Sequence, residues 1–561
     1  MTVRVPPVPA PSEGGALAAC RAHRPQDATS AKSECSGALD RAADPLCPQT
    51  APTPLRRSRA AGAAPPEPCH ALAVRQPLFG VSTVGYRLEG GFNGPGEPAN
   101  QWSPWERAGK VPTARAPGGG VWADPGRTLE LAAAAGAEVL ALSVEWARVE
   151  PAPGRLDEGA VDRYASIFAS AAERGITPVG VLHDVATPGW LGEEFWLTPG
   201  SPDRFAAHAA RLVARLGASC RHWVTLRQPN LVALAGWVDG RHPPRRVGAL
   251  SDAWAVVDNA LSAHVLSYTA IHEVQPDAVV LFGLRVSASY DWHRLMVDLL
   301  CAPALGVDRE ELDVWIDARR ARHDQVTVYG DLGELARRRL AAATSPFGGG
   351  GPPRRGRLRR RSPRRAVDVA YHFAAGRTHA PGSNGSAPLR RGGYPFDALL
   401  VVWCPPRAEV APLPWLRAEP AHLPWLRPPA PWETRPDPGA LSAWCHEQQR
   451  ATPGAALWVE DGFATRGALC RADGWDRRSY LRAQVAAVGS VPVTGYLYFT
   501  LEGGGDPTWP DAVFGLGTAP GDRLGADPAV GARTDPCADA DFYRRLGEER
   551  RGGTGAAAGS G

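Results

Sequence analysis

The side chains that could do chemistry sit at the ends of short apolar runs. Glu460 ends the run ALWV and is followed by Asp461-Gly462. A carboxylate there is costly to bury unless it is paired or used, which makes Glu460 the strongest single functional candidate. The bland alternative is an acid held by a nearby arginine. Other polar groups end other apolar runs: Arg87 and Glu89; Glu145, Trp146 and Arg148; His183-Asp184; Arg227-Gln228-Pro229-Asn230; and Glu502, Asp506 and Trp509. The chain has 19 tryptophans. Indoles stack on flat sugar faces, so they fit a carbohydrate pocket, although core packing explains most individual tryptophans.

Such groups need a frame. Eight strand candidates lie at 78–83, 139–145, 178–183, 222–226, 279–286, 398–403, 455–459 and 495–500. Most are near-continuous apolar runs, the pattern of a strand covered on both faces. Helical stripes separate several of them. Val161, Tyr164, Ile167, Phe168 and Ala171 share one face, as do Phe205, Ala209, Leu212, Val213 and Leu216, and Trp254, Val257, Leu261, Val265, Tyr268 and Ile271. Ser201 and Ser251 are the expected N-caps of the last two helices. Strands alternating with helices in one core-sized region predict an α/β fold, a (β/α)8 TIM barrel. A doubly wound open sheet would want a glycine-rich phosphate loop after its first strand, and GVSTVGYRLEGG matches that poorly. In a barrel the active groups stand at the carboxyl ends of the strands, where the polar residues above fall.

Composition bounds the rest. A chain of 561 residues, 44% hydrophobic, can bury a large core. Net charge is +4, which does not call for a polyelectrolyte partner. No apolar run approaches a membrane span, and the N-terminus lacks the apolar segment of a secretory leader. The 10 cysteines lack metal spacing and read as mostly free thiols of a cytoplasmic protein. No metal, cofactor, nucleic-acid or membrane partner is expected. Residues 1–75, rich in Ala, Pro and Arg, are expected to be disordered. The barrel is expected over 76–545, with a long Arg-rich insertion at about 301–394 between the fifth and sixth strands, and a disordered tail over 546–561. The run GGGGPPRRGRLRRRSPRR lacks interleaved aromatics and reads as a solvated loop.

Together these pieces resemble the family 1 glycoside hydrolases, the retaining β-glucosidase type of (β/α)8 barrel, over about residues 79–516. LFGVSTVGYRLEGG is similar to that family's opening strand. LALSVEWARVEPAPGRLDEGAVDRY is similar to its second strand and following helix, and HDVATPGWL to its third unit. HWVTLRQPN stands where the family has Asn-Glu-Pro, and LWVEDGFATR where it has Glu-Asn-Gly. GYLYFTLEGG and VFGL resemble its close. The resemblance implies two glutamates, one a proton donor and base, the other a nucleophile, roughly 5–5.5 Å apart. Glu460 matches the nucleophile. The acid/base position is Gln228, an amide.

Further departures follow from the same resemblance. Arg87 stands for a sugar-binding glutamine, Ala141 for an arginine near the nucleophile, Asp184 for a histidine and Arg227 for the asparagine that holds the 2-hydroxyl. The tyrosine facing the nucleophile falls near Trp403 or Cys404. Asp506 and Trp509 are the nearest counterparts of a late Glu-Trp pair. A small carbohydrate or glycoside is the implied ligand. Three readings follow: a glycoside hydrolase or transglycosidase with weakened or altered catalysis, a catalytically silent binding protein in which Arg87 and Arg227 neutralise Glu460 and Asp184, and a site whose two arginines clamp an anionic sugar.

Overall fold

The computed structural model describes residues 77–111, 120–286, 290–326, 363–376, 393–403, 435–466, 471–501, 512–516 and 538–553. Eight parallel strands close into a barrel: β1 (Leu78–Ser82), β2 (Val139–Ser143), β3 (Thr177–Val181), β4 (His222–Val224), β5 (Val279–Arg285), β6 (Ala398–Trp403), β7 (Ala456–Asp461) and β9 (Gly495–Phe499), with β9 returning to β1. Each lies on one of the apolar runs read from the sequence. A small two-stranded sheet, β8 (Thr465–Arg466) with β10 (Ala512–Val513), stands apart.

Side chains alternate across each strand, and this divides the core in two. Val139, Ala141, Val179, Val181, Val224, Leu281, Ala398, Leu400, Trp458 and Leu497 fill the barrel. The opposite faces pack on the helices in a larger outer core. Glycine is required where Gly180 lies under the Trp223 ring, since a Cβ there would drive into the indole.

The helical stripes are buried as the spacing predicts, on Glu158–Glu173, Ser201–Leu216 and Leu250–Val274. The expected caps differ. The helix Ser201–Leu216 is preceded by Gly200, and the Ser201 hydroxyl turns back to donate to the Thr198 carbonyl at 2.9 Å. The third helix begins at Leu250, so Ser251 is already inside it.

Two boundaries also need correction. The expected insertion contains the helix Arg364–Ala374, which belongs to the outer layer. Its start is capped by Asp258, which accepts from the backbone N–H groups of Arg365 at 3.2 Å and Ala366 at 2.7 Å, and Phe373 packs edge-on against Tyr268. An amphipathic turn hidden behind an arginine run carried no visible boundary. The expected tail from 546 is in part helical. Ala538–Gly553 buries Ala540, Tyr543 and Leu546, and the Tyr543 hydroxyl donates to the Gly80 carbonyl at 2.8 Å. The expected extension over 1–75 and the arginine run at 353–362 lie outside the described residues.

Candidate functional site

Glu460 is the next inward residue after Trp458 on β7, level with Val402 of β6 and Leu497 of β9. It is fully buried at the carboxyl-end rim. Arg227 meets it there from the segment after β4. The Arg227 backbone N–H donates to the His183 carbonyl at 3.0 Å. On the other side the chain presses against Gly283 of β5, where an added Cβ would come within 2.6 Å of the Arg227 Cα. Only glycine permits that approach.

The guanidinium is used completely. Its Nε donates to Glu460 Oε2 at 2.8 Å, and one Nη2 hydrogen goes to Glu460 Oε1. The other Nη2 hydrogen reaches Ser82 Oγ at 3.2 Å. Nη1 donates to the Thr83 carbonyl at 2.9 Å and to Asp184 Oδ2 at 3.4 Å. An arginine has five N–H donors, and these five acceptors take all of them. The paired, two-pronged contact with Glu460 is the strong form of such a bond. Burial disfavours the Arg227 charge, but the facing carboxylates of Glu460 and Asp184 outweigh it and hold its pKa above the ordinary value. The Phe499 ring lies 5.4 Å from its Cζ.

Around this pair stand further buried acids. Glu145, after β2, has its carboxyl pKa pushed well above the usual range by burial and by the charges of Glu89 and Asp184. Glu89 is raised too, again chiefly by burial. It accepts from Arg148 Nε and from the Tyr164 hydroxyl, both at 2.5 Å. Arg148 is sandwiched between the Phe92 and Trp122 rings, at 4.1 and 3.9 Å. Asp461 faces outward. It accepts from the Tyr480 hydroxyl at 2.5 Å, Gln484 Nε2 at 2.7 Å, the Gly462 N–H at 2.8 Å and the Tyr496 hydroxyl at 3.3 Å. Burial nevertheless lifts its pKa to about 7.

Of the residues singled out from the sequence, Glu460, Arg227 and Asp184 come together. Gln228 follows Arg227 as the half-buried residue that precedes the helix Pro229–Trp237, and its side chain makes no capping bond. Arg87 lies in the short helix Gly85–Glu89, and its side chain is outside the described set. Asp506 and Trp509 are also outside the described residues. Trp403 is a correction: it belongs to the outer core and packs against Trp444, 6.4 Å between ring centroids, rather than facing the rim. The reason is parity, since Val402 shares the level of Glu460 and Trp403 points the other way. Trp102, Trp146, Trp223 and Trp237 are likewise fully buried in packing roles.

Sequence reasoning named Glu145 only as a strand-end polar residue. Its signal was there: a charge in the otherwise apolar stretch VLALSVEW. The buried acceptors Ser82 and Thr83 gave none. Among the described residues, no group of three or more His, Cys, Asp or Glu side chains could hold a metal ion. No helix among them is long and apolar enough to cross a membrane.

A closed (β/α)8 barrel with buried carboxylates at its carboxyl-end rim is a frame that retaining glycosidases, among other enzymes, use. Residues 74–303 match the model of Glycosyl hydrolase family 1, and through them the chain is related to that family. It is 27% identical to beta-glucosidase 22 of Oryza sativa subsp. japonica over 35% of this chain and 38% of that protein. It is 28% identical to 6-phospho-beta-galactosidase 1 of Streptococcus pneumoniae over 35% of this chain and 42% of that one. The alignments therefore span less than half the length of these curated relatives. Among solved structures, a family 1 β-glucosidase from Thermotoga maritima in complex with isofagomine lactam superposes with a TM-score of 0.57 at 17% identity, covering 84% of this chain and 98% of that one. The same enzyme in complex with deoxynojirimycin gives 0.58 at 16%. These structures share the fold.

Proposed function

We propose that this family 1 glycosidase-like protein binds a small carbohydrate-type ligand at its barrel rim without hydrolysing glycosides by the two-glutamate route. One observation carries the reading: both oxygens of Glu460 accept hydrogen bonds from Arg227. A nucleophile must present a free oxygen to the anomeric carbon. Here attack would have to proceed against a buried, charge-assisted, two-pronged bond that draws electron density from both oxygens. The family resemblance puts Gln228 at the acid/base position, and an amide lacks the general-acid contribution of about 10²–10⁴-fold. Both losses fall on formation of the glycosyl-enzyme, and the missing base would also slow its hydrolysis.

The anionic-sugar reading is disfavoured. Its clamp needed free donors on both Arg87 and Arg227, and those of Arg227 are all engaged. The hydrolase or transglycosidase reading, with weakened catalysis in carbohydrate metabolism, keeps one support: Glu460 stands at the end of β7 on the inward face.

The test is an activated 2-fluoro aryl β-glycoside incubated with the full chain, followed by intact-mass and peptide mass spectrometry. The unmodified mass is expected across gluco- and galacto-configured probes. A stoichiometric adduct on Glu460 would overturn the silent reading and establish the weakened enzyme instead.

A further inference from the structure

Among the described residues the charges around Glu460 do not balance. Arg227 offers one positive charge to two carboxylates, Glu460 and Asp184. Glu460 is satisfied at both oxygens. Asp184 is not: Oδ2 meets Arg227, but Oδ1 is buried and accepts no hydrogen bond among the described residues, although the side chain is only 2% exposed. A second orphan lies nearby and is not acidic. Ser143 Oγ, at the end of β2 on the barrel's inward face, is also buried without a partner. Ser143 and Glu145 both lie against Gly85, where an added Cβ would meet the Glu145 carboxyl and the Ser143 Cβ at 3.5 Å. The Glu145 carboxyl in turn feels the Asp184 charge. Ser143 is paired with Val181, so Ser143 and Glu145 at the end of β2 and Asp184 just past the end of β3 stand at neighbouring strand ends. Buried polar atoms are almost always paired in native proteins, so two orphans at this edge mark a place where a partner belongs.

The partner's chemistry follows from what is unmet. A carboxylate oxygen accepts and never donates. An incoming anion would face this oxygen with no free arginine donor among the described residues to offset it. A neutral hydroxyl would satisfy the hydrogen bond and leave the charge. A protonated amine satisfies both. Ser143 Oγ can donate and accept, and Glu145, whose pKa burial raises well above the usual range, places a second carboxyl beside it, which suits the hydroxyls flanking an amine on a sugar ring. We infer that the edge formed by Ser143, Glu145 and Asp184 binds the protonated amine of an amino sugar, with the ammonium on Asp184 Oδ1. This rests on the carbohydrate-binding reading above and narrows its ligand class.

The test is isothermal titration of the full chain with D-glucosamine, D-glucose and D-glucose 6-phosphate at neutral pH. Glucosamine is expected to bind at least ~10-fold tighter than glucose, about 1.4 kcal/mol, and the phosphate more weakly than either. Asp184→Asn should bring glucosamine down to the glucose level. Should that variant fail to show the wild-type unfolding transition, Ser143→Ala, which removes one small hydroxyl, should lower glucosamine affinity several-fold while leaving the fold intact. Equal binding of glucose and glucosamine, or tighter binding of the phosphate, would overturn the amine inference and leave carbohydrate binding standing. No binding of any of the three would overturn both. Unchanged glucosamine affinity in Ser143→Ala and Asp184→Asn would remove the site from this edge.

Discussion

Replacing Asp461 by Asn should stabilise the protein, and by an amount that grows with pH. Asp461 is buried next to Glu460, and burial raises its pKa from 3.8 to about 7 despite four donors aimed at it. In the unfolded chain the same carboxyl ionises near its ordinary value. A group whose folded pKa is raised contributes its full stability below the unfolded value and loses it as pH climbs through the folded one. For Asp461 that window runs from about pH 4 to about pH 7. Three decades of proton affinity correspond to about 4 kcal/mol lost by pH 8. An Asn side chain has no such loss. Its oxygen can keep the Tyr480 hydroxyl and the Gly462 N–H. Its amide can donate to Gln484, whose Oε1 is buried without a partner and becomes available if the Gln484 amide turns over.

The measurement is urea unfolding of both proteins by tryptophan fluorescence at several pH values. The stability difference, variant minus wild type, should grow by about 3 kcal/mol between pH 5 and pH 8. A constant offset between the two chains would come from the amide's own fit and is not diagnostic; the slope is. A difference independent of pH would show that Asp461 is already ionised on its four donors at neutral pH, and the claim that desolvation outweighs them would be wrong.

Three further outcomes follow from the same geometry. Arg227→Met should cost about 3–5 kcal/mol in chemical denaturation, because it strands Glu460 and Asp184 buried without their cation, and adding Glu460→Gln should recover part of that; a loss under about 1 kcal/mol would contradict the tight clamp. Gln228→Glu alone should leave aryl-glycoside turnover at background, whereas the triple variant Ala141→Arg, Arg227→Asn and Gln228→Glu, which moves the cation to position 141, should raise it at least ~10-fold; turnover from the single variant would mean that Arg227 does not block Glu460. Burial holds His183 and His264 at a pKa of about 3 and His208 at about 4, so their ring signals in NMR should stay in the neutral form from pH 8 down to pH 5. Because the unfolded chain protonates near pH 6.5, these histidines withdraw stability as pH falls below that value, and titration of any of the three near 6.5 would contradict its burial.

The barrel was legible because its strands are doubly covered. Such strands need apolar residues on both faces, and 398–403 reads as one run without a break. The caps were less legible. Ser201 follows a glycine and a proline that both interrupt the chain, and the hydroxyl had a competing carbonyl at Thr198. The helix Arg364–Ala374 was hidden because its apolar face, Ala366, Val367, Ala370 and Phe373, begins inside an arginine run whose composition suggested a loop. At the site, Glu460, Arg227 and Asp184 stood out as charges at the ends of apolar strands. Ser143 did not, since a serine among apolar residues carries no signal until its missing partner is seen. Trp403 was misplaced by one step of strand parity, and a one-residue shift exchanges the rim for the outer core.

The persistence of Glu460 says less about catalysis than it first suggests. A buried carboxylate needs a cation nearby, or its pKa is driven up by burial as that of Glu145 is. The family resemblance assigns a cation to the position of Ala141, which here is an apolar residue inside the barrel. Arg227 supplies the charge from the end of β4, two strands further round the barrel, and Gly283 leaves room for its backbone. The two positions therefore form a single exchange: with the arginine at 141 absent, Glu460 is tolerable in the core because 227 is arginine. The guanidinium that makes the glutamate tolerable also occupies both of its oxygens. An acid kept by such a bond is explained by structure alone, so activity must be argued from a free oxygen on Glu460 rather than from its presence.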